Sequence, residues 1–456
     1  MDPRIFKAYD IRGIYPDQIN EEVAYKVGQG YGQVISPRKP VVVGMDVRIH
    51  SEILKKALIQ GLTDSGLDVV DVGLISTEML YFAVGYYRLG GGIQVTASHN
   101  PAEYNGFKMT RAEAVPISIE TGLSEIRELI IQKRESIFRK KKGSVTKKEI
   151  LDDFVRFALT FVDRKKIKPF RIAYNPNFGF EGIVLQRTKE LGGFHFELFG
   201  LNHLPDGTFP KGQPDPFREE NRPEFIQFVK DSKVALGVTW DADADRVFFC
   251  TGEGHFIEPY FINAILIKKI LEKHQGGKIV HDPRYTWALI KATQEVGGEA
   301  IMERVGHSFI KTRMRKERAI FGGESSGHTY FRDFWYADSG LIPLLIVLEI
   351  LSTGESLENL LEPLLSNYFI SGEINKKIKD QREIFQKLRK KYFDANLSEI
   401  DGLSVEYCDW RANIRASNTE PLLRINVEGR NREIMEKKRD EIIKIIESED
   451  LDLSKK

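Results

Sequence analysis

Gly92-Ile93-Gln94-Val95-Thr96-Ala97-Ser98-His99-Asn100-Pro101 is the stretch on which the fold turns. Its first four residues read as a buried strand and the rest as a tight turn. Ser98 then sits at the strand's carboxyl end, where open α/β sheets place their chemistry. Upstream, Val41-Val42-Val43-Gly44 and Leu67-Asp68-Val69-Val70-Asp71-Val72 read as further strands. Between them Ser51 is expected to cap a helix whose Ile53, Leu54, Ala57 and Leu58 share one face, with Gly66 ending it. Short strands alternating with helices imply βαβ units and a mostly parallel sheet.

The pattern recurs. Arg171-Ile172-Ala173-Tyr174-Asn175 and Lys278-Ile279-Val280-His281-Asp282 have the form of Val41-Val42-Val43-Gly44-Met45-Asp46, a short apolar strand ending in a polar turn. This fits three α/β units in tandem. Near Asn367 the alternation stops. A strand at 422–427 and a charged helix holding Ile434, Ile442, Ile443 and Ile446 read as a small α+β domain. Arg139-Lys140-Lys141-Lys142-Gly143-Ser144 is an expected exposed linker, and 204–216, rich in Pro and Gly, an expected loop.

A chain of 456 residues exceeds the ~250–300 at which single cores stop growing, so several domains are expected. A net charge of +1 gives no basis for nucleic-acid or membrane attraction. Cys250 and Cys408 form neither a metal spacing nor a disulfide framework, which suits a reducing cytoplasm. Met1-Asp2-Pro3-Arg4 lacks the apolar core of a signal peptide. The longest apolar run, 341–351, contains Pro343 and Glu349 and falls short of the ~20 residues a membrane span needs; it is expected to be a buried helix.

Three further polar clusters follow Ser98. Asp241-Ala242-Asp243-Ala244-Asp245-Arg246 places three carboxylates at alternate positions, on one side of an expected extended loop after the strand 234–239. Hard oxygen ligands of this kind favour Mg²⁺, and the spacing is not that of an EF-hand. Arg246 suits a phosphate bound to the metal. Gly322-Gly323-Glu324-Ser325-Ser326-Gly327-His328 offers Glu324 and Ser326 as acceptors for sugar hydroxyls and His328 for proton transfer. Arg415-Ala416-Ser417-Asn418-Thr419 sets a guanidinium beside three short hydrogen-bonding side chains, which suits a phosphate. Tyr9-Asp10-Ile11-Arg12-Gly13 and Val305-Gly306-His307-Ser308 are secondary candidates. A serine hydroxyl is a poor nucleophile without help, and His99 and Lys108 are close enough in sequence to supply it. Taken singly, each cluster also reads as a polar turn or loop. A Walker A loop, a zincin helix and a GxSxG elbow are absent from the sequence.

Together, in this order and over essentially the whole length, these residues resemble the α-D-phosphohexomutase superfamily, and within it the bacterial phosphomannomutase/phosphoglucomutase branch, to which Phe6-Lys7-Ala8-Tyr9-Asp10-Ile11-Arg12-Gly13 also points. The resemblance implies three tandem mixed α/β domains of similar topology plus a smaller C-terminal α+β domain around a central cleft. It implies a phosphoserine domain (1–147), a metal-binding domain (148–252), a sugar-binding domain (253–366) and a phosphate-binding domain (367–456). By it Ser98 carries a phosphoryl group, and Asp241, Asp243 and Asp245 hold one Mg²⁺ with a phosphoserine oxygen. Glu324 and Ser326 read the sugar. Tyr9, Arg284, Arg415, Ser417, Asn418 and Thr419 bind the substrate, the last four its non-reacting phosphate. Arg12, His99, Lys108, Arg246, His307 and His328 surround the reacting phosphate or assist proton transfer. The implied reaction interconverts hexose 1- and 6-phosphates through a hexose 1,6-bisphosphate that reorients, in a cytoplasmic monomer or homodimer. Ala242 and Ala244 stand where glycine is usual and Arg284 where lysine is frequent, so the metal loop is expected to differ slightly in shape. The competing readings are a mutase for glucosamine or N-acetylglucosamine phosphates, a non-catalytic sugar-phosphate-binding protein, and a metal phosphatase.

Overall fold

The computed structural model describes residues 2–132, 141–378, 381–416 and 422–452. It divides into two compact units, Met1–Pro259 with Ser326–Gly354, and Tyr260–Ser325 with Glu355–Lys456.

Among the described residues the first unit holds two whole sheets and the paired strands Thr329–Phe331 and Ala337–Asp338. One sheet runs in the order Ile11–Ile14, Tyr104–Arg111, Gly91–Val95, Val41–Met45, Val69–Leu74, Val145–Lys147. Its central strand Val41–Met45 is parallel to both neighbours, while Gly91–Val95 turns back antiparallel into Tyr104–Arg111. The β-branched, fully buried Val41, Val42 and Val43 suit a strand covered on both faces. The helices Glu21–Val34 and Ser51–Asp64 cross at glycines: a Cβ on Gly61 would stand 2.0 Å from Tyr25 O, so only glycine permits the approach. The second sheet repeats the plan in the order Phe256–Ile257, Val247–Thr251, Leu236–Trp240, Arg171–Asn175, Glu197–Gly200. Arg171–Asn175 is again the parallel centre, and Leu236–Trp240 turns back antiparallel into Val247–Thr251.

Two helices of this unit are almost wholly buried. In Thr77–Tyr86 nine successive residues are buried; Phe82 lies 5.6 Å from Phe154, ring to ring, and a Cβ on Gly85 would meet Trp335 at 2.1 Å. Leu341–Leu351 is the buried helix expected from its composition; its one charged residue, Glu349, accepts from Asp163 N at 2.8 Å. Among the described residues no helix is long and apolar enough to cross a membrane.

The second unit has a third parallel centre, Lys278–His281, between Glu299–Met302 and Phe321–Gly323. It also holds an antiparallel sheet, Phe369–Ile370, Leu422–Gly429, Trp410–Ala416, Leu403–Glu406, Asn396–Ser398, with Ile374–Lys377 also paired to Leu422–Gly429. The helix Arg432–Asp452 lays Ile442 and Ile446 on that sheet's core.

The recurrence seen in the sequence has a concrete form. Each central strand ends in a side chain that accepts from the backbone N–H two residues on: Arg48 N to Asp46 Oδ1 at 3.0 Å, Asn177 N to Asn175 Oδ1 at 2.9 Å, Arg284 N to Asp282 Oδ1 at 2.8 Å. These Asx turns end each strand and aim the third residue.

Three local expectations change. Ser51 does not cap its helix: His50 holds that position, without a side-chain cap bond, and the Ser51 hydroxyl donates to Asp46 Oδ1 at 2.6 Å, a charged acceptor already fixed by the turn. Ile53 is 45 % exposed, so the buried face is carried by Leu54 and Leu58. Of the expected linker, Gly143 N and Ser144 N bond to Thr63 O and Asp68 Oδ1, tying it to the first sheet, while 139–140 lie outside the described residues. Gly66, at φ 81°, ends its helix as expected.

Candidate active site

Ser98 leaves the strand Gly91–Val95 in the left-handed region, at φ 53°, buried. Its N–H donates to Thr96 Oγ1 at 2.8 Å. Its hydroxyl stands 3.4 Å from Asp241 Oδ2 and 3.2 Å from His99 Nδ1. Burial, with Arg246, Arg12 and Lys108 nearby, drives the His99 ring well below the usual imidazole range, so it is neutral. Arg12 lays one N–H on Asn100 Oδ1 at 2.7 Å while its Nε donates to Asp10 Oδ2 at 2.7 Å.

The aspartate segment is a tight turn between antiparallel strands rather than an extended loop. Ala244 N donates to Asp241 O at 3.0 Å, and Ala244 takes φ 58° despite its Cβ. The turn brings Asp241, Asp243 and Asp245, all buried, together with one carboxylate oxygen of each within 4.8 Å of the others. Lys108 Nζ donates to Asp243 Oδ2 at 2.6 Å and also to Asp245 Oδ2. Arg246 Nε donates to Asp241 Oδ2 at 2.7 Å, and its Nη2 lies 3.3 Å from Asp215 Oδ1, so here it braces the carboxylates. Burial pushes Asp241 up to about 7 against the pull of Arg246. Asp243 feels the same burial, but the Lys108 ammonium outweighs it and holds the carboxyl down at about 2. Asp243 Oδ1 and Asp245 Oδ1 are buried without a hydrogen-bond partner. Buried acceptors of hard oxygen type, aimed together and lacking donors, fit a divalent cation such as Mg²⁺. His328 borders this turn, with Nδ1 3.1 Å from Asp245 O and 2.9 Å from Asp338 Oδ2.

The second unit carries its own cluster. Arg284, aimed by its Asx turn, donates to Asp282 Oδ2 at 2.9 Å and reaches 3.8 Å from Glu324 Oε1 and 3.9 Å from Glu373 Oε2. Glu324 accepts from Gly306 N at 2.9 Å, beside His307, the first residue of the helix His307–Glu317. Glu373 accepts from Arg415 at 2.8 Å and from Arg424 at 3.0 Å. Three guanidiniums around one carboxylate form a strongly anion-attracting group.

Of the residues expected from sequence, Ser98, His99, Lys108, Arg12, Arg246, His328 and the three aspartates come together in the first unit, as Arg284, Glu324, His307 and Arg415 do in the second. Tyr9 and Ser326 are half-buried in the first unit. Ser417, Asn418 and Thr419 lie outside the described residues. Sequence reasoning missed Thr77, whose hydroxyl donates to Asp243 Oδ2 at 2.6 Å, and also Asp215, Asp338, Glu373 and Arg424. It missed Arg48 as well, although a usable signal existed. Asp10-Ile11-Arg12, Asp46-Val47-Arg48 and Asp282-Pro283-Arg284 share an Asp-x-Arg pattern, and in each the Asp accepts from its own Arg side chain.

Comparison with known proteins bears on this geometry. Four successive domain descriptions match the chain: phosphoglucomutase/phosphomannomutase α/β/α domain I over residues 3–136, domain II over 151–254, domain III over 258–368 and the C-terminal domain over 373–445. The chain belongs to the phosphoglucomutase/phosphomannomutase family. A phosphomannomutase of Vibrio cholerae serotype O1 is 43 % identical over 98 % of this chain and 99 % of its own length. Phosphohexose mutases of Xanthomonas campestris pv. campestris are 41 % identical over 93 % of this chain and 95 % of theirs. A solved structure of a family protein from Burkholderia thailandensis superposes with TM-score 0.88 at 31 % identity, covering 98 % of each chain. As a member of this mutase family the protein is a phosphohexomutase, an isomerase acting on a small phosphosugar.

Proposed function

We propose that this chain interconverts the 1- and 6-phosphates of mannose and glucose, with Ser98 as the phosphoryl carrier and a hexose 1,6-bisphosphate as intermediate and activator. The observation that carries the reading is the Ser98 hydroxyl, 3.4 Å from a buried aspartate of a three-carboxylate turn whose other members hold Lys108. The sugars are those named in the relatives.

In the first transfer the P–O bond to Ser98 Oγ breaks as the free hydroxyl oxygen of the sugar phosphate bonds phosphorus. The hydroxyl proton passes to a base. Nδ1 of His328 faces two acceptors, which puts its proton there and the ring's lone pair on Nε2. In the second transfer the reoriented bisphosphate gives its other phosphoryl back to Ser98 Oγ, and the proton returns to the sugar oxygen thus freed. Asp241, Asp243 and Asp245 would hold one Mg²⁺, which when bound offsets charge on the transferring group. Arg12 and Lys108 add fixed positive charge, His99 accompanies the Ser98 hydroxyl, and Arg246 keeps Asp241 in place. Tyr9, Arg284, Glu324 and Ser326 are assigned to the sugar, His307 to the surroundings of the reacting phosphate, and Arg415, Ser417, Asn418 and Thr419 to the non-reacting phosphate. A cytoplasmic monomer or homodimer completes the reading.

The experiment is kcat/KM for mannose, glucose and glucosamine 1-phosphates with Mg²⁺ and a trace of hexose 1,6-bisphosphate. Turnover of the first two, lost in Ser98→Ala, is expected. Isomerisation of the amino sugar alone would move the assignment to a glucosamine mutase. Release of free phosphate without isomerisation would indicate a phosphatase.

A further inference from the structure

Arg48 spends every N–H of its guanidinium on a few neighbours. Nε donates to Asp46 Oδ2 at 3.1 Å. Nη1 donates to Pro101 O at 2.6 Å and Tyr104 O at 3.1 Å. Nη2 donates to Ser98 O at 2.7 Å and Asn100 O at 2.6 Å. A guanidinium has five N–H donors, so none is left over. Four of the five acceptors are main-chain carbonyls of the turn that carries the nucleophile, and the side chain is fully buried.

We propose that Arg48 is the positioning residue that holds the Ser98 turn in its reactive shape; this rests on Ser98 being the phosphoryl carrier. A non-glycine residue in the left-handed region persists only where its surroundings over-determine it. The Ser98 turn points four carbonyls toward one place, and the cationic fork there bonds all four, including the buried Ser98 carbonyl, whose loss of a donor would be costly. The fork is itself fixed from behind. Asp46, which takes the Nε bond, is held by Arg48 N and by the Ser51 hydroxyl. The Phe209 ring lies 4.9 Å from the guanidinium carbon, and Gly207 presses so close that a Cβ there would meet Val47 O at 2.1 Å. Arg48 bonds the carbonyl of Ser98 while the hydroxyl faces Asp241 and His99, so it sets the angle of the nucleophile without touching the reacting oxygen. Lysine has three donors on one atom and cannot reproduce a planar five-bond fork.

The test compares Arg48→Lys, Arg48→Met and Asp46→Asn in the full chain. It reads kcat and KM separately, the rate at which Ser98 becomes phosphorylated by glucose 1,6-bisphosphate (intact mass), and thermal unfolding. A misplaced nucleophile is expected to lower kcat of Arg48→Lys by about 10²-fold and slow phosphorylation of Ser98, with KM little changed. A merely structural arginine would lower the unfolding temperature yet leave kcat per folded molecule within roughly threefold, and that result overturns the proposal. If neither Arg48 variant folds, Asp46→Asn decides, since it keeps the guanidinium but loosens its anchor: a lowered kcat at constant KM supports the role, an unchanged kcat removes it. Failure of the underlying reading shows separately, as a parent enzyme whose activity survives Ser98→Ala.

Discussion

His328 Nδ1 lies 2.9 Å from Asp338 Oδ2, on a short buried strand, Ala337–Asp338, that pairs with Thr329–Phe331. The Asp245 carbonyl accepts from Nδ1, and the Asp338 carboxylate beside it favours a proton on that nitrogen, so together they fix one tautomer and one ring orientation of His328. Asp338→Asn is expected to lower kcat by about 10²-fold, the lower end of what a positioned acid or base contributes, with little change in KM. Equal losses in Asp338→Asn and Asp338→Ala, with an unfolding temperature near the parent's, would confirm an orienting carboxylate; full activity in either would sink it.

Glu373 holds Arg415 and Arg424 directly and faces Arg284. In Glu373→Gln, Arg415 and Arg424 lose their charged acceptor, while Arg284 keeps Asp282. The variant is expected to lose about 1–3 kcal/mol of stability in buffer without phosphate. Inorganic phosphate should restore more of that loss than it adds to the parent, because an external anion then replaces the carboxylate. Thermal unfolding with and without phosphate reads both.

Glu78 and Glu181 form a buried carboxyl pair. Glu78 accepts from Ser339 Oγ and from Gly340 N at 2.9 Å, at the start of the helix Leu341–Leu351. Burial pushes Glu78 up to about 7 and Glu181 well above the usual range, so the pair retains a proton when folded. The folded state binds more protons than the unfolded one between the ordinary carboxyl range near 4.5 and about 7, so stability falls as pH rises through that window. Glu181→Gln supplies a permanent donor. Its unfolding temperature should exceed the parent's at pH 8 by about 2 °C or more, and the difference should shrink toward pH 5. Parallel pH profiles for the two proteins would refute a retained proton.

Ala244 sits in the left-handed region inside the aspartate turn, where a Cβ costs about 1–2 kcal/mol. Ala244→Gly removes that cost but adds roughly 0.5–1 kcal/mol of unfolded-chain entropy, so stability should stay level or rise by up to about 1.5 kcal/mol with activity retained. Ala244→Val, β-branched in the same buried place, should destabilise by more than about 2 kcal/mol and weaken the Mg²⁺-dependent rise in unfolding temperature. Denaturant unfolding with and without Mg²⁺ checks both.

The alternation of apolar strand and helix made the α/β units readable, because βαβ packing needs that periodicity within a short window. The Ser98 and Asp241 segments stood out as candidates because each gathers its polar groups within six or seven residues, whereas Ser417, Asn418 and Thr419 of the Arg415 segment lie outside the described residues. What was not readable depends on chain separation. Asp338 acts on His328 from the next strand, and Glu373 meets Arg415 from 42 positions away. Ser51 and Ala244 show another limit: local preference favours a serine cap and a glycine at positive φ, yet a stronger acceptor at Asp46 and the closure of the aspartate turn override both.

The helix Thr77–Tyr86, buried from Thr77 to Gly85, ties the family segments together. It lies within the first family segment, yet Phe154 of the second and Trp335 of the third help enclose it. A gene fragment ending near residue 136 would produce a chain with an oily helix open to water. The first three segments therefore share one core rather than closing three of their own, and any side chain added at Gly85 would have to be accommodated by Trp335.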